Sequence, residues 1–425
     1  MTLIAVDNRL ANILAFTSSI RPKFCYNSPT NMNLALFLHF YQPPTQKRDL
    51  VVRVTKESYI PVIRGLMRNP RSKITLNIAG CLLPRLDQYG YSSLLNQIHQ
   101  LVSKGRIELV GSSAYHAFLP KLPEKQIVHQ IELQEELLHK YFGAKVQLKG
   151  FFPPEMAFVP KMAKIIQKKG YKWIILDSFA KRGSYAYAPL YEDKEGMRYF
   201  LRNRAASYAL VAEDMHTSEE FTDMVQRLTK DKLYRILGLD GETFGHHRPG
   251  HESLLEQIYK SDNITMHTIS ELENLGLETI PFTTRQSSWT ILDNHRSIHQ
   301  PFVRWNDPEN EIHKMQWQLT ELAMRTPHDV KSQKKLDSAL FSCQYWWASA
   351  RPWWQIEMIE SGAHALLQAI IYSHATARYK RKAVDLYHHI VATAFDWMRS
   401  GKMQKRVNQE HEYMQTTKDK IHVNQ

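Results

Sequence analysis

Two acidic residues stand where an apolar run gives way to glycine, proline and histidine. One run, Ile236-Leu237-Gly238-Leu239, passes directly into Asp240-Gly241-Glu242-Thr243-Phe244-Gly245-His246-His247. The other, ending Gly150-Phe151-Phe152, passes into Pro153-Pro154-Glu155. Cleaving a glycosidic bond takes one carboxyl that holds a proton for the leaving oxygen and another that is ionised to attack the anomeric carbon or activate water. Glu155 and Asp240 are candidates to divide those roles. Glu242 or a histidine could tune the proton affinity of Asp240, and Gly241 and Gly245 would let the backbone approach a bulky sugar. Other polar residues follow apolar runs in the same way: His39 with Tyr41 and Gln42, Glu108, Tyr115 with His116, and Asp177. Each has a plainer reading. His39 could be a satisfied core histidine, Glu108 a cap, and Asp177 a structural hydrogen-bonding residue.

The elements that would carry these residues alternate. Short buried strands are expected at 34–39, 73–78, 106–110, 147–151, 173–176, 234–239 and 264–268. Amphipathic helices are expected at 59–67, 92–103, 124–141, 160–169, 218–229 and 252–260. This rhythm is that of an α/β domain, and seven strands with intervening helices point to a parallel seven-stranded (β/α) barrel, whose active sites lie at the C-terminal strand ends. The expected organisation is a poorly ordered N-terminal extension (1–31), the catalytic barrel (32–279), an aromatic-rich connector (280–307), a C-terminal helical bundle domain (308–400) and a polar, frayed tail (401–425). Within the helical part, the run 342–354 carries Trp346, Trp347, Trp353 and Trp354. Some of these rings should pack in the core, and at least one, assigned to Trp353, should stand with Arg351 near the cleft.

Composition narrows the function class. The 425-residue chain has a hydrophobic fraction of 43% and nine tryptophans, enough for a large core and for rings that stack on sugars. A net charge of +13 raises the question of an acidic partner, but the basic residues are scattered in short solvated groups and accompany no nucleic-acid motif. Neither nucleic acid nor a membrane is expected as a partner, since no apolar run approaches the roughly 20 residues of a span. Cys25, Cys81 and Cys343 are too few and too far apart for a disulfide framework or zinc knuckle, which fits a reducing cytoplasm.

In order and wording, the strand-end motifs resemble those of glycoside hydrolase family 57, over roughly residues 33–275. His39-Phe40-Tyr41-Gln42-Pro43 is similar to the family's His-Gln-Pro motif, with Tyr41 where the histidine next to glutamine normally stands. Gly105-Arg106-Ile107-Glu108 is similar to its Gly-x-x-Glu motif, and Gly150 to Glu155 to the segment that carries the nucleophile. Asp-Gly-Glu-x-Phe-Gly, whose aspartate is the family's general acid/base, recurs unchanged from Asp240 to Gly245. The resemblance implies a retaining enzyme acting on α-glucans by hydrolysis or transfer, through a covalent glycosyl-enzyme intermediate. Glu155 would be the nucleophile and Asp240 the acid/base, while His39, Gln42, Glu108, His116, Glu242, Phe244, His246 and Trp353 would bind substrate. Neither metal nor cofactor is implied. Two alternatives stand beside it: a non-catalytic glycan-binding protein on the same scaffold, and a zinc-dependent deacetylase-like enzyme holding metal through Asp240, His246 and His247.

Overall fold

The computed structural model describes residues 31–181, 189–229, 232–290 and 299–423. The extension expected at 1–31 falls almost wholly outside these residues. The described residues form ten strands: β1 (Met32–Phe40), β2 (Ile74–Ile78), β3 (Ile107–Leu109), β4 (Gly150–Phe151), β5 (Trp173–Asp177), β6 (Leu190–Glu192), β7 (Arg198–Arg202), β8 (Arg235–Asp240), β9 (Ile264–His267) and β10 (Thr279–Pro281). They form two five-stranded sheets. In the first, β3, β2, β1 and β8 lie side by side and parallel, and β1 is buried almost throughout, as a strand with neighbours on both edges and layers on both faces must be. The second has the order β10-β6-β7-β5-β4 and is parallel except where β6 and β7 form an antiparallel pair.

Two seams join the sheets. At one, the Gly111 amide donates to the Gly150 carbonyl (2.9 Å) and the Phe152 amide to the Gly111 carbonyl (2.9 Å). At the other, the Asn203 amide donates to the Ile236 carbonyl (2.7 Å), while the Asn203 side-chain oxygen accepts from the Ile236 amide (2.9 Å). An apolar cluster drawn from both sheets lies between them, with Ala35, Phe37, Phe152, Trp173, Ile175, Phe200 and Ile236 buried together. Ile269 and Leu272, at the turn of helix Ser270–Leu275, close one end of it. Helices such as Ile60–Arg68, Ser92–Ser103 and His251–Lys260 cover the outer face of the first sheet.

The glycines at the first seam are there for space. A Cβ on Gly111 would sit 2.0 Å from the Tyr171 hydroxyl, and one on Gly150 would sit 2.1 Å from the Trp173 ring.

The strand expectations need three corrections. Strands β6, β7 and β10 were not anticipated; β6 and β10 are only three residues long and β7 begins and ends on arginine, although Arg202 is buried, with Nε donating to Asp177 Oδ2 at 2.7 Å. The strand expected at 264–268 is β9, and it pairs with the N-terminal half of β1, below β2. The strand expected at 147–151 shortens to Gly150–Phe151. Helix Arg204–Ala212 was also missed.

The C-terminal part is helical: Glu311–Arg325, Val330–Ala339, Cys343–Trp346, Ile356–Ile371, Ala377–Arg399 and Lys402–Val423. Its apolar faces share one core with the second sheet, where Ile312, Leu319 and Leu366 pack in the same cluster as Phe151, Ile174 and Tyr199. The expected frayed tail is instead the helix Lys402–Val423, because its first turns supply partners to buried charges. Glu410 reaches Arg351 (3.3 Å) and Arg304 (3.8 Å), and Arg406 reaches Asp307 (2.5 Å).

Replacing Gly150 by alanine forces a methyl group into the Trp173 ring. We expect G150A to lose about 2 kcal/mol or more of stability in denaturant unfolding, in the range of overpacked cores. A loss within experimental error would show that the seam is loosely packed.

Candidate active site

Glu155 follows β4 in a tight turn and has a left-handed backbone, φ 63°, a conformation that non-glycine residues adopt at a cost. Two pieces of chain from far away hold it. The connector pairs with the residues after β4: Phe158 and Ser287 exchange backbone hydrogen bonds (2.9 and 3.1 Å), and the Trp289 amide donates to the Glu155 carbonyl (3.0 Å). The helical part pairs with the loop after β3, where Ala117 bridges Phe341 and the Ser342 amide donates to the His116 carbonyl (2.9 Å). These two dockings deliver two donors to the buried carboxylate. Trp289 Nε1 donates to Oε2 at 2.9 Å, and Ser342 Oγ donates to Oε1 at 3.1 Å. Burial raises Glu155 to about 7; the two hydrogen bonds and the Arg304 charge pull it down, while Asp240 pushes it up.

Asp240 ends β8, in register with His39 of β1. Burial raises it to about 6, against the Arg202 guanidinium, which favours its ionised form. Arg202 is fixed by Asp177, by the Gly238 carbonyl (3.0 Å) and by the Trp289 carbonyl (2.9 Å). Glu242 accepts from Gln42 Nε2 at 2.7 Å and from the Tyr59 hydroxyl. Burial first, then the neighbouring Asp240, raises it to about 8. Three carboxyl groups therefore share one buried region and resist ionising together.

Beside them lies a pair of histidines. His39 Nε2 and His116 Nε2 are 3.1 Å apart; His39 Nδ1 meets Asn77 Oδ1 at 2.7 Å, and His116 Nδ1 meets Ser342 Oγ at 2.9 Å. Burial holds His39 down to about 4 and His116 well below its ordinary range, so both rings are neutral at pH 7. Tyr41 lies flat on His116, with centroids 4.0 Å apart and planes 17° apart, and the Cys343 thiol donates to its hydroxyl at 3.5 Å.

The expected site residues therefore separate. Glu155, Asp240, Glu242, Gln42, His39 and His116 come together. The ring nitrogens of His39 and His116 are occupied by other side chains, so these residues do not offer them to a sugar as expected. Glu108 is held apart from that cluster, its carboxylate accepting from Thr75 (3.1 Å) and from the Ser270 amide (3.1 Å) and hydroxyl, where it anchors the helix Ser270–Leu275. Phe244 is fully buried in the apolar core beside the first sheet, and His246 turns its Nδ1 to Glu57 Oε2 at 2.5 Å. Gly241 and Gly245 make room for the protein itself, for the Phe40 ring and the Glu57 carbonyl respectively. Trp353 is half-buried among Trp346 and Trp347, with centroids 5.9 and 6.0 Å away, and Arg351 is buried against Asp307 (2.8 Å). Arg351 is thus engaged in a buried ion-pair network with Asp307 and Glu410.

Sequence reasoning missed Asn77, Tyr59, Arg202, Ser342 and Cys343 as site residues, and placed Trp289 only in an aromatic connector. None of them belongs to a motif, and no local pattern marks them. The zinc set Asp240, His246 and His247 is not assembled, since His246 faces Glu57. Another donor group, His116, Glu155 and Cys343, has one ligand atom from each residue within 4.8 Å of the others. It fits a metal poorly: both His116 nitrogens are engaged, and burial pushes the Cys343 thiol up, away from the thiolate a metal needs.

A carboxyl whose folded-state pKa is raised costs stability once it ionises. For Glu155 the cost grows as pH rises from the ordinary value of 4.5 to about 7 and is constant above that. We expect Glu155→Gln to be more stable than the parent at pH 8 by on the order of 3 kcal/mol, with the difference vanishing below about pH 4.5. Denaturant unfolding at both pH values checks this, and equal stabilities at pH 8 would contradict the raised value.

Residues 23–284 match the family model described as Glycosyl hydrolase family 57. The chain is 22% identical over 295 residues to an "Alpha-amylase" of Pyrococcus horikoshii, covering 64% of this chain and 46% of that protein. It is 21% identical over 307 residues to a "4-alpha-glucanotransferase" of Thermococcus litoralis, covering 67% of this chain and 46% of that protein. The chain thus spans about half the length of these relatives. Among solved structures, a GH57-type branching enzyme from Pyrococcus horikoshii superposes with a TM-score of 0.57 at 16% identity, covering 91% of this chain and 97% of that one. With more than half of its length matching the family model, the chain belongs to glycosyl hydrolase family 57.

Proposed function

We propose that this protein cleaves or transfers α-glucosidic bonds of starch, glycogen or maltooligosaccharides by a retaining mechanism, with Glu155 as nucleophile and Asp240 as acid/base. The observation that carries the reading is the pair Glu155, buried, and Asp240, half-buried, each raised by desolvation and the first raised further by the second, at the ends of parallel strands within the family-matched segment. The relatives named as an α-amylase and a 4-α-glucanotransferase supply the substrate class. We also read the two sheets as one seven-stranded (β/α) barrel formed by β1, β2, β3, β4, β5, β7 and β8; the hydrogen bonds at the two seams support closure. Among the described residues no helix is long and apolar enough to cross a membrane. The free thiols of Cys81 and Cys343 accord with a reducing, cytoplasmic setting.

In the first step the Glu155 carboxylate attacks the anomeric carbon while Asp240 gives its proton to the leaving oxygen. In the second, Asp240 takes a proton from water or an acceptor sugar hydroxyl, which displaces Glu155. The cycle needs one proton on the pair, residing on Asp240 at the moment of attack. In the free protein burial favours that proton on Glu155, with values of about 7 and about 6 for the two residues. The Trp289 and Ser342 donors oppose this, because both stabilise the Glu155 carboxylate. Glu242, raised to about 8, is mostly protonated at pH 7, which limits like-charge repulsion beside Asp240.

Glu155→Gln and Asp240→Asn should each lower kcat on maltooligosaccharides by about 10²-fold or more. Wild-type turnover in either variant would refute the role assignment, and glucan binding without turnover in the parent protein would favour the non-catalytic reading. The pair is singly protonated chiefly between the two values, so kcat/KM should follow a bell with its maximum between pH 6 and 7. NMR of the first product formed from an α-linked substrate should show the α-anomer; the β-anomer would indicate inversion.

A further inference from the structure

The hydrogen-bond chain behind Glu155 poses an accounting problem. Ser342 has one hydroxyl hydrogen but two acceptor neighbours, Glu155 Oε1 at 3.1 Å and His116 Nδ1 at 2.9 Å. If it donates to Glu155, His116 must donate to it from Nδ1. A neutral His116 then accepts at Nε2, so His39 must donate from Nε2 and accept at Nδ1. Nδ1 of His39, however, faces Asn77 Oδ1, also an acceptor, at 2.7 Å. The conflict disappears if the Asn77 amide turns over, presenting Nδ2 to the ring. Asn77 supplies the independent observation: it is fully buried, and its Nδ2 has no hydrogen-bond partner among the described residues. With Oδ1 toward His39 a buried donor is left unsatisfied, whereas with Nδ2 toward His39 it is the carbonyl oxygen that loses its partner, the more readily tolerated of the two.

When Glu155 is protonated the chain runs the other way. Its proton goes to Ser342 Oγ, Ser342 donates to His116 Nδ1, His116 Nε2 to His39 Nε2, and His39 Nδ1 to Asn77 Oδ1. Both arrangements keep both histidines neutral, and they differ by the single proton on Glu155.

We propose that Asn77, His39, His116 and Ser342 form one directional hydrogen-bond relay whose polarity reverses with the protonation of Glu155, and that these four residues are positioning residues for the nucleophile. Ionisation of Glu155 aligns all four donors toward it, and the Asn77 amide then gives a hydrogen to His39 Nδ1 while its carbonyl oxygen takes over the unpartnered position. The relay thus favours the ionised nucleophile through neutral donors, adding no cation of its own to the Arg304 charge already nearby. Tyr41 secures the arrangement by stacking on His116, its burial keeping its own phenol neutral. The other groups facing Glu155 are Asp240 from β8, the Arg304 guanidinium and the neutral Cys343 thiol, and they set where it titrates without joining the relay.

The test is nitrogen NMR of the histidine side chains in ¹⁵N-labelled protein between pH 5 and 9. It needs no substrate, so its outcome is separable from that of the glucan-cleaving reading. His39 and His116 should stay neutral and exchange tautomers together, with a midpoint near that of Glu155, about 7. Ser342→Ala should abolish the exchange, Ser342→Thr should restore it, and Glu155→Gln should make both tautomers independent of pH. Thermal unfolding of each variant confirms that it folds, and the Thr and Gln variants carry the test if the Ala variant does not. Fixed tautomers in the parent protein, protonation of either ring near pH 6.5, or exchange that persists in Ser342→Ala or Glu155→Gln would overturn the relay.

Discussion

The Glu155 carboxylate is buried and meets two neutral donors, the Trp289 indole and the Ser342 hydroxyl. Much of the structure around it is arranged to make that possible. A buried carboxylate without donors would stay protonated at neutral pH, and one beside a paired cation would be too stable to attack. Two neutral donors occupy the middle ground. They reach the carboxylate only because the connector docks at Phe158 and Ser287 and the helical part docks at Ala117 and Phe341. The helical part is therefore a structural component of the site, and its core is continuous with the second sheet.

The histidines show the same economy of charge. Rings that would each be half-protonated near pH 6.5 in water are kept neutral by burial, so they act through hydrogen-bond direction and not through charge. Tyr41, where the family motif carries histidine, fits this environment. It gives a flat stacking surface without adding a third ring that competes for the same hydrogens. Positive charge enters from the flanks instead, at Arg202 beside Asp240 and Arg304 beside Glu155. Each is anchored by acids or carbonyls of other elements, Arg202 by Asp177 and Arg304 by Glu410 and the Thr290 carbonyl.

Glu410 explains why a polar C-terminal stretch folds. The stretch 402–423 is polar in composition, and polarity alone argues for fraying. Its acid is nevertheless needed in a buried network with Arg304 and Arg351, where an unpaired guanidinium would be costly. Met403 and Val407 of the helix pack on the core, and the charged partners that complete its anchoring lie elsewhere in the chain.

The sequence by itself determined the alternation of strands and helices, the placing of Glu155 and Asp240 at strand ends, and the family. Apolar runs and short motifs are local signals, and local signals survive reading along the chain. It failed where a residue's role depends on distant partners. Glu108 sits in a family-like motif yet spends its carboxylate on Ser270, 162 residues away. Trp289 and Ser342 belong to no motif yet reach Glu155 across 134 and 187 residues. Tertiary structure alone decided that His39 and His116 face each other, because a hydrogen bond is settled by which atoms meet and at what angle, and residue type and spacing carry neither.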